Sequence, residues 1–253
     1  MKPRLPGLVL VLAALAGCTP QTFRAEAGAM FVNGVGRIAL QNSSGTLDLS
    51  SAAHRLDGDL GLDDISAAPY LRGEWEADAN RVRLHGFGFS GNGSGTLAAP
   101  YGDIPSGSLV DTSMDFLSIA ANYSYAMMRG DWYRLGVGAQ LGFTSLDVEA
   151  RTGALREAVD TTVLTPMPYA DLEFFYGPVA FDLNAGIMSA DLGDANGRYF
   201  DLEATGRWQA TDGFDVLGGY RMIVADVAGR ASDRDFDADL YFQGWFLSGG
   251  VRF

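Results

Sequence analysis

The chain has 253 residues with a formal net charge of −13, and 47% of its side chains are hydrophobic. This acidity argues against a nucleic-acid partner, because no basic surface would offset phosphate repulsion. The single cysteine excludes an intrachain disulfide, a cysteine-rich zinc site and an iron–sulfur cluster. Two histidines leave little for a histidine-based metal site, so we expect neither a metal nor a cofactor.

The N-terminal segment has the pattern of a secretory signal. Lys2 and Arg4 precede an apolar run at residues 8–16, which is shorter than the roughly 20 residues that a membrane-spanning helix needs. We therefore predict a signal peptide at residues 1–17 and a mature domain at residues 18–253.

The end of this segment, Leu15-Ala16-Gly17-Cys18, resembles the lipobox of bacterial lipoproteins. The resemblance implies cleavage before Cys18 and acylation of its thiol and new amino group. Thr19 stands where an aspartate would imply retention at the inner membrane, so delivery to the outer membrane is expected. An ordinary signal peptide with an incidental cysteine is the alternative.

The mature chain alternates with a period of two residues, which is typical of β-strands. In residues 199–210, Leu202 and Trp208 lie on an apolar face, opposite Glu203 and Arg207. The same division recurs around residues 69–77, 117–125, 133–143, 179–189 and 214–224.

Two features favour a membrane barrel over a soluble one. The polar face carries charges of both signs, and aromatic residues lie near the ends of the runs, as in interfacial girdles. Only helices and closed barrels leave no backbone group unsatisfied in hydrocarbon. We therefore predict an all-β fold, a closed antiparallel up-and-down transmembrane β-barrel.

The spacing of the runs predicts ten strands, one at about residues 24–40 and nine after residue 65, with eight strands as an alternative. Tight turns are predicted near residues 78–80, 129–131, 177–178 and 211–213. Longer polar segments are predicted around residues 92–111, 144–162, 190–198 and 226–239. Bacterial barrels place short turns in the periplasm and long loops outside.

Charged residues on the polar phase are expected to face the lumen. At eight to ten strands the interior is just wide enough for side chains to fill it, and arginine pairs with carboxylates through its planar fork. We predict a lumen ion-pair network formed by Arg72, Glu74, Arg83, Arg134, Asp171, Glu173, Asp182, Asp201, Glu203, Arg207, Asp215 and Arg221. A narrow water-filled pore is the alternative.

The last strand is similar to the C-terminal signature of outer-membrane barrels, with a terminal aromatic residue and apolar residues at alternate positions. The residues that carry this similarity are Phe253, Val251, Leu247 and Trp245. The resemblance implies that the strand is an assembly signal, read by the barrel-assembly machinery.

The acidic segment at residues 56–64 resembles the Asp-Leu-Gly-Leu-Asp segment of a poorly characterised family of proteobacterial outer-membrane β-barrels. The likeness continues at Asn80-Arg81-Val82-Arg83-Leu84 and at Tyr101-Gly102-Asp103-Ile104-Pro105. It implies the fold and a location in the Gram-negative outer membrane, and it implies no activity. The lipobox is a departure from this family.

Two groups of residues carry candidate chemistry. His85 is in phase with Arg83, and barrel hydrolases use a histidine beside a serine or carboxylate, for which Ser90, Glu74 and Glu76 are candidate neighbours. A hydrogen-bonded lumen histidine is the favoured interpretation, so no catalytic residue is predicted. Carboxylates could hold Ca²⁺ or meet cations that bridge lipopolysaccharide, but a solvated loop is favoured for Asp57, Asp59, Asp63 and Asp64.

The sequence therefore predicts an integral outer-membrane protein with a largely filled lumen and a structural or surface-interaction role without catalysis. A narrow, porin-like passive channel is the alternative, and a lipid- or peptide-modifying barrel enzyme is the second alternative. A soluble lipidated sandwich is the alternative outside the membrane. The expected partners are outer-membrane lipids, lipopolysaccharide and the assembly machinery, and the expected state is a monomer.

Overall fold

The computed structural model describes residues 21–62, 65–191, 196–231 and 234–253. Its strands are β1 (Gln21–Leu40), β2 (His54–Arg55), β3 (Ser66–Ala77), β4 (Asn80–Thr96), β5 (Leu109–Arg129), β6 (Tyr133–Thr152), β7 (Leu155–Tyr176), β8 (Val179–Asp191), β9 (Asn196–Thr211), β10 (Phe214–Ala231) and β11 (Arg234–Arg252). Within these ranges, no helix has the length and apolarity needed to cross a membrane.

Ten long strands form one closed antiparallel sheet. The order runs from β11 down to β3 in sequence and then to β1, and the ring closes where β1 pairs with β11 between Arg24–Arg252 and Leu40–Phe236. The two-residue β2 pairs with Arg37 and Ile38 of β1, farther along β1 than Val32, where its pairing with β3 stops. The predicted closed up-and-down barrel is confirmed, and its wall has ten strands.

The connections differ between the two ends of the barrel. At one end, the predicted tight turns join β3 to β4, β5 to β6, β7 to β8 and β9 to β10, and the described residues Gln21 and Phe253 lie there. At the other end, two segments predicted to be loops are largely strand, since β6 continues to Thr152 and β10 to Ala231, while β4 continues only to Thr96. Describing residues 144–162 and 226–239 as polar loops was wrong, because the alternation continues through them with its polarity exchanged.

This exchange of polarity is clear on β11. Near its end, Trp245 and Leu247 face outward while Ser248 is buried inside. Near its start, Asp237 and Asp239 face outward while Phe236 is buried inside. The half of the barrel with the tight turns therefore carries an outward apolar belt around a polar interior, and the other half has an apolar interior.

Candidate functional site: the barrel lumen

The lumen is divided into two layers. All twelve predicted network residues lie inside the wall and are buried, with exposures of 7% or less. We call them, together with the ion-paired Glu26 and Arg81, the ion-pair layer. They come from eight of the ten long strands, all except β5 and β11, because the inward phase of those eight strands carries a charge at this level.

The ion-pair layer joins opposite walls of the barrel. On one side, Glu74 of β3 accepts hydrogen bonds from Arg83 at 2.9 and 3.1 Å. Arg72 then reaches across to β9, where its Nη1 lies 3.2 Å from Oε1 of Glu203, and its Nη2 lies 3.4 Å from Oδ2 of Asp182 on β8. These contacts therefore link one wall of the barrel to the opposite wall through the lumen.

Two further arginine–carboxylate pairs are formed, and the second of them has the two-point geometry in which two nitrogens meet two oxygens. Arg134 Nη1 donates to both oxygens of Asp171 at 2.5 and 2.6 Å. Arg221 donates through Nε and Nη2 to Asp201 at 3.1 and 2.8 Å. Arg207 pairs with Glu173, and Asp215 lies 3.7 Å from Arg24.

Two members of the layer, Glu26 and Arg81, are not among the twelve residues of the predicted network. Arg81 is 2% exposed and pairs with Glu173 and Glu76, the latter at 2.9 Å. It has the same phase as Arg83, so alternation alone would have placed it inside.

The residues considered for catalysis do not come together. His85 is buried, and its Nδ1 lies 3.1 Å from Oε2 of Glu203, which also accepts a hydrogen bond from the Tyr70 hydroxyl at 3.0 Å. Ser90 faces outward and donates to Asp115. The proposed neighbour Glu74 belongs to the ion-pair layer, and Glu76 pairs with Arg81.

The other half of the lumen is apolar, although alternation predicted a polar inner face along whole strands. Phe116 and Phe242 stack across it with ring centroids 3.9 Å apart, and Phe89 packs against both rings. Leu146 and Val148 of β6 complete this part of the core. Apolar residues are tolerated inside here because outward aspartates keep the outer surface of this half polar.

Residues 54–62, which we call the plug segment, lie beyond Ser66 at the start of β3, on the side of the long hairpins. There they occupy the place in the wall that β3 does not reach. Its side chains Leu56, Leu60 and Leu62 are buried in the apolar core. The segment lies against the inward glycines of β4, so closely that a Cβ added at Gly93 would lie 2.0 Å from the carbonyl oxygen of Gly61. This packing explains the glycines at residues 93 and 95.

The acidic residues of this region have separate roles. Arg55 donates to both oxygens of Asp57 at 3.1 and 2.7 Å, and Asp59 accepts the backbone N–H of Arg55 at 3.0 Å. Asp63 and Asp64 lie outside the described residues. Among the residues that the structure describes, no group of three or more histidine, cysteine or acidic side chains could hold a metal ion.

Residues 97–108, which we call the cap loop, cover the end of the apolar layer. Tyr101 and Ile104 are fully buried, and the Tyr101 ring packs edge-on against His54 at 5.7 Å. The loop is held at its rim by Asp103, whose carboxylate accepts the backbone N–H and hydroxyl of Ser43, both at 2.9 Å. These two hydrogen bonds hold the pKa of Asp103 below its usual value of 3.8.

The predicted assembly residues all face outward on the last strand. Trp245, Leu247, Val251 and Phe253 have exposures between 44% and 76%. The backbone of Phe253 exchanges hydrogen bonds with Phe23 at 2.9 and 3.2 Å, which closes the ring at this end. The predicted signal peptide and Cys18 lie outside the described residues.

Comparisons with known proteins agree with this architecture. No protein-family model and no curated protein sequence matches the chain. The outer membrane protease OmpT from Escherichia coli has a TM-score of 0.61 at 10% identity, covering 92% of this chain and 96% of that one. Ail, the attachment invasion locus protein of Yersinia pestis, has a TM-score of 0.39 at 11% identity, covering 92% of this chain and 99% of Ail. Neisserial surface protein A has a TM-score of 0.37 at 10% identity, covering 91% of this chain and 97% of that protein. The chain has the fold of the outer-membrane β-barrel proteins.

Proposed function

We propose that this protein is an integral outer-membrane barrel with a sealed lumen and a structural or surface-interaction role without catalysis. The observation that carries the proposal is the ion-pair layer, in which Arg72 and Arg83 of one wall reach Glu203 and Asp182 of the other. Above it, the apolar core and the cap loop close the same passage a second time.

The outward belt supports a place in the bilayer. Leu71, Leu183 and Leu247 are each at least 45% exposed on this belt, where water would be an unfavourable solvent. The tight turns then lie in the periplasm and the long hairpins outside, with outer-membrane lipids and lipopolysaccharide around a monomeric barrel. The outward residues of β11 serve as the signal for the barrel-assembly machinery.

Conductance in planar bilayers tests the sealed lumen. We expect no steady single-channel steps from the full-length wild-type protein at physiological salt. Arg72→Ala combined with Arg83→Ala should also give no steps if the variant remains heat-modifiable on gels, because the apolar core and the cap loop still close the passage. Steady steps from the wild-type protein would support the passive-channel alternative instead.

The absence of catalysis is tested at His85, the remaining candidate. The outward position of Ser90 separates it from His85, which supports a structural role for the histidine. We expect His85→Ala to leave the lipid A and surface-proteolysis profiles of cells unchanged. A change in either profile, at unaltered protein abundance, would support the barrel-enzyme alternative.

We further propose that Cys18 is acylated, on the strength of the lipobox resemblance alone. Cells grown with labelled palmitate should label the wild-type protein and leave Cys18→Ser unlabelled. The barrel should still fractionate with the outer membrane in that variant, because its own belt holds it there. Loss of outer-membrane location in Cys18→Ser would contradict the proposed integral barrel.

A further inference from the structure

The barrel wall has a lateral split between β7 and β8. The two strands pair only from Tyr169–Gly186 down to the turn at Tyr176–Val179. Beyond Tyr169, β7 continues to Leu155 along β6, and β8 continues to Asp191 along β9. In the parts of the chain that the structure describes, no strand pairs with the free edge of β7 in this region.

Two prolines lie on that free edge. The N–H of Phe175 donates to Trp132 at 2.9 Å, so the odd positions of β7 point their N–H groups toward β6. The pairing of β6 and β7 has no register shift, and therefore the even positions point toward β8. Pro166 and Pro168 are even, and proline has no N–H to donate, which confines it to unpaired edges. The sequence itself therefore prevents β8 from pairing here.

The lower part of the split lies at the level of the outward apolar belt. Leu164 on β7 and Ile187 on β8 flank it, and both face outward with exposures of 60% and 61%. The first outward acid on β7, Asp160, comes four residues farther along. The part of the split beside Leu164 and Ile187 therefore faces the hydrocarbon of the bilayer.

An apolar cavity of about 100 Å³ lies behind the split. Val163 of β7, Met188 of β8 and Ala225 of β10 line it, and all three are only partly buried, whereas Val159 on the same inward face of β7 is fully buried. Arg198 is the one charged residue of the lining, and it is exposed. The ion-pair layer and the cap loop close the lumen on either side of the cavity.

The opposite wall shows that the chain can cover such a gap. Above the short strand β3, the plug segment fills the space between β1 and β4, pairing with β1 through β2 and packing on Gly93 and Gly95. No described segment fills the space above the last β7–β8 pair in the same way. The split is therefore a local feature of one side of the barrel.

We propose that the split and the cavity bind one acyl chain, which enters sideways from the outer leaflet. An apolar cavity of roughly 150 Å³ can hold benzene, so a space of about 100 Å³ takes the last few methylenes of a chain, with the rest lying along the split. Arg198 stands where a carboxylate head would remain in contact with water. The chain comes from a free fatty acid or from a lipid of the leaflet.

Electron paramagnetic resonance of a spin-labelled chain tests this inference. The probe is 16-doxyl-stearic acid in phosphatidylcholine vesicles that contain the folded full-length protein. We expect one strongly immobilised stearate per wild-type barrel. Val163→Trp fills the cavity and should weaken this binding about tenfold or more, while Leu71→Trp, which faces lipid from β3 on the opposite wall, should leave it unchanged.

A second arm uses phosphatidylcholine with the same label on its chain. Immobilisation of stearate alone identifies a free fatty acid as the source, and equal immobilisation of both probes identifies a leaflet lipid. If Val163→Trp does not fold, Ala225→Phe fills the cavity from β10. Equal spectra for wild-type protein and the cavity-filling variants would overturn the inference. The spin-label result does not depend on the conductance result, so the sealed lumen and the acyl-chain site can be refuted separately.

Discussion

Arg221 and Asp201 offer the sharpest test of the ion-pair layer, because the two side chains form an ion pair with each other. Arg221 is fully buried and Asp201 is 4% exposed, and their two hydrogen bonds measure 3.1 and 2.8 Å. Removing one member of a buried pair strands the other charge, which costs about 3–5 kcal/mol. Asp201 keeps one hydrogen bond from Gln140 at 2.8 Å, so we expect Arg221→Met to cost about 3 kcal/mol.

A double-mutant cycle separates this pair from simple loss of packing. Asp201→Leu combined with Arg221→Met removes both charges and keeps apolar volume, so the double variant should lie within about 1 kcal/mol of the wild-type protein. The measurement is the free energy of unfolding in urea, followed by tryptophan fluorescence in phospholipid vesicles.

Strand β10, which contains Arg221, also contains an arginine that serves as a matched control. Arg230 and Asp235 form an exposed pair at 3.2 Å, with side chains that are 63% and 56% exposed. Arg230→Met should change the free energy of unfolding by less than about 1 kcal/mol. If the costs of Arg221→Met and Asp201→Leu simply add, or if Arg230→Met costs as much as Arg221→Met, then burial does not give the layer its strength and the reasoning is refuted.

Three other predictions concern the plug, the belt and the rim. Gly93→Val places a Cβ 2.0 Å from the carbonyl oxygen of Gly61, so protease should cleave residues 54–62 faster, whereas Gly73→Ala, with no atom within 4 Å, should behave as wild-type. Leu247→Arg puts a charge on the outward belt and should lower the free energy of unfolding in vesicles by about 2–4 kcal/mol. Asp237→Arg, which lies beyond the belt, should lower it by about 1 kcal/mol or less. Similar costs for the two variants would show that Leu247 does not lie in the hydrocarbon region. The pKa of Asp103 is lowered, so its contacts with Ser43 are present above pH 3.8 and are lost as the pH falls through the lower folded value. The protection factor of the Ser43 amide, which corrects for the pH dependence of intrinsic exchange, should therefore fall on acidification in the wild-type protein, and Asp103→Ala should show low protection at all pH values.

The ten strands could be predicted because a period of two residues reveals an extended backbone whichever face is apolar. Residues 201–208 show this pattern, and the strand they predict is present. The same rule holds at residues 236–239, where Phe236 and Ala238 alternate with Asp237 and Asp239. There the apolar phase faces inward, and the exchange of faces made a strand look like a polar loop.

Two features depend on contacts that alternation cannot reveal. Leu56 and Leu60 are buried only because Gly93 and Gly95, far along the chain, leave room for the plug segment. The lateral split did have a signal in the sequence, since two prolines in one strand require an unpaired edge. That signal locates an edge, but it does not show that a cavity lies behind it.

The exchange of polarity along the strands also fixes how deep the barrel sits. One residue advances about 3.4 Å along a strand, and an outward shift by that amount would move Leu117 and Leu164 toward the aqueous phase. A shift inward would instead drag Asp115 and Asp160 into the acyl region. Both displacements are unfavourable, so the protein has a single equilibrium height. In a thinner or thicker bilayer we therefore expect the surrounding lipids to stretch or compress around it, while the barrel keeps its position.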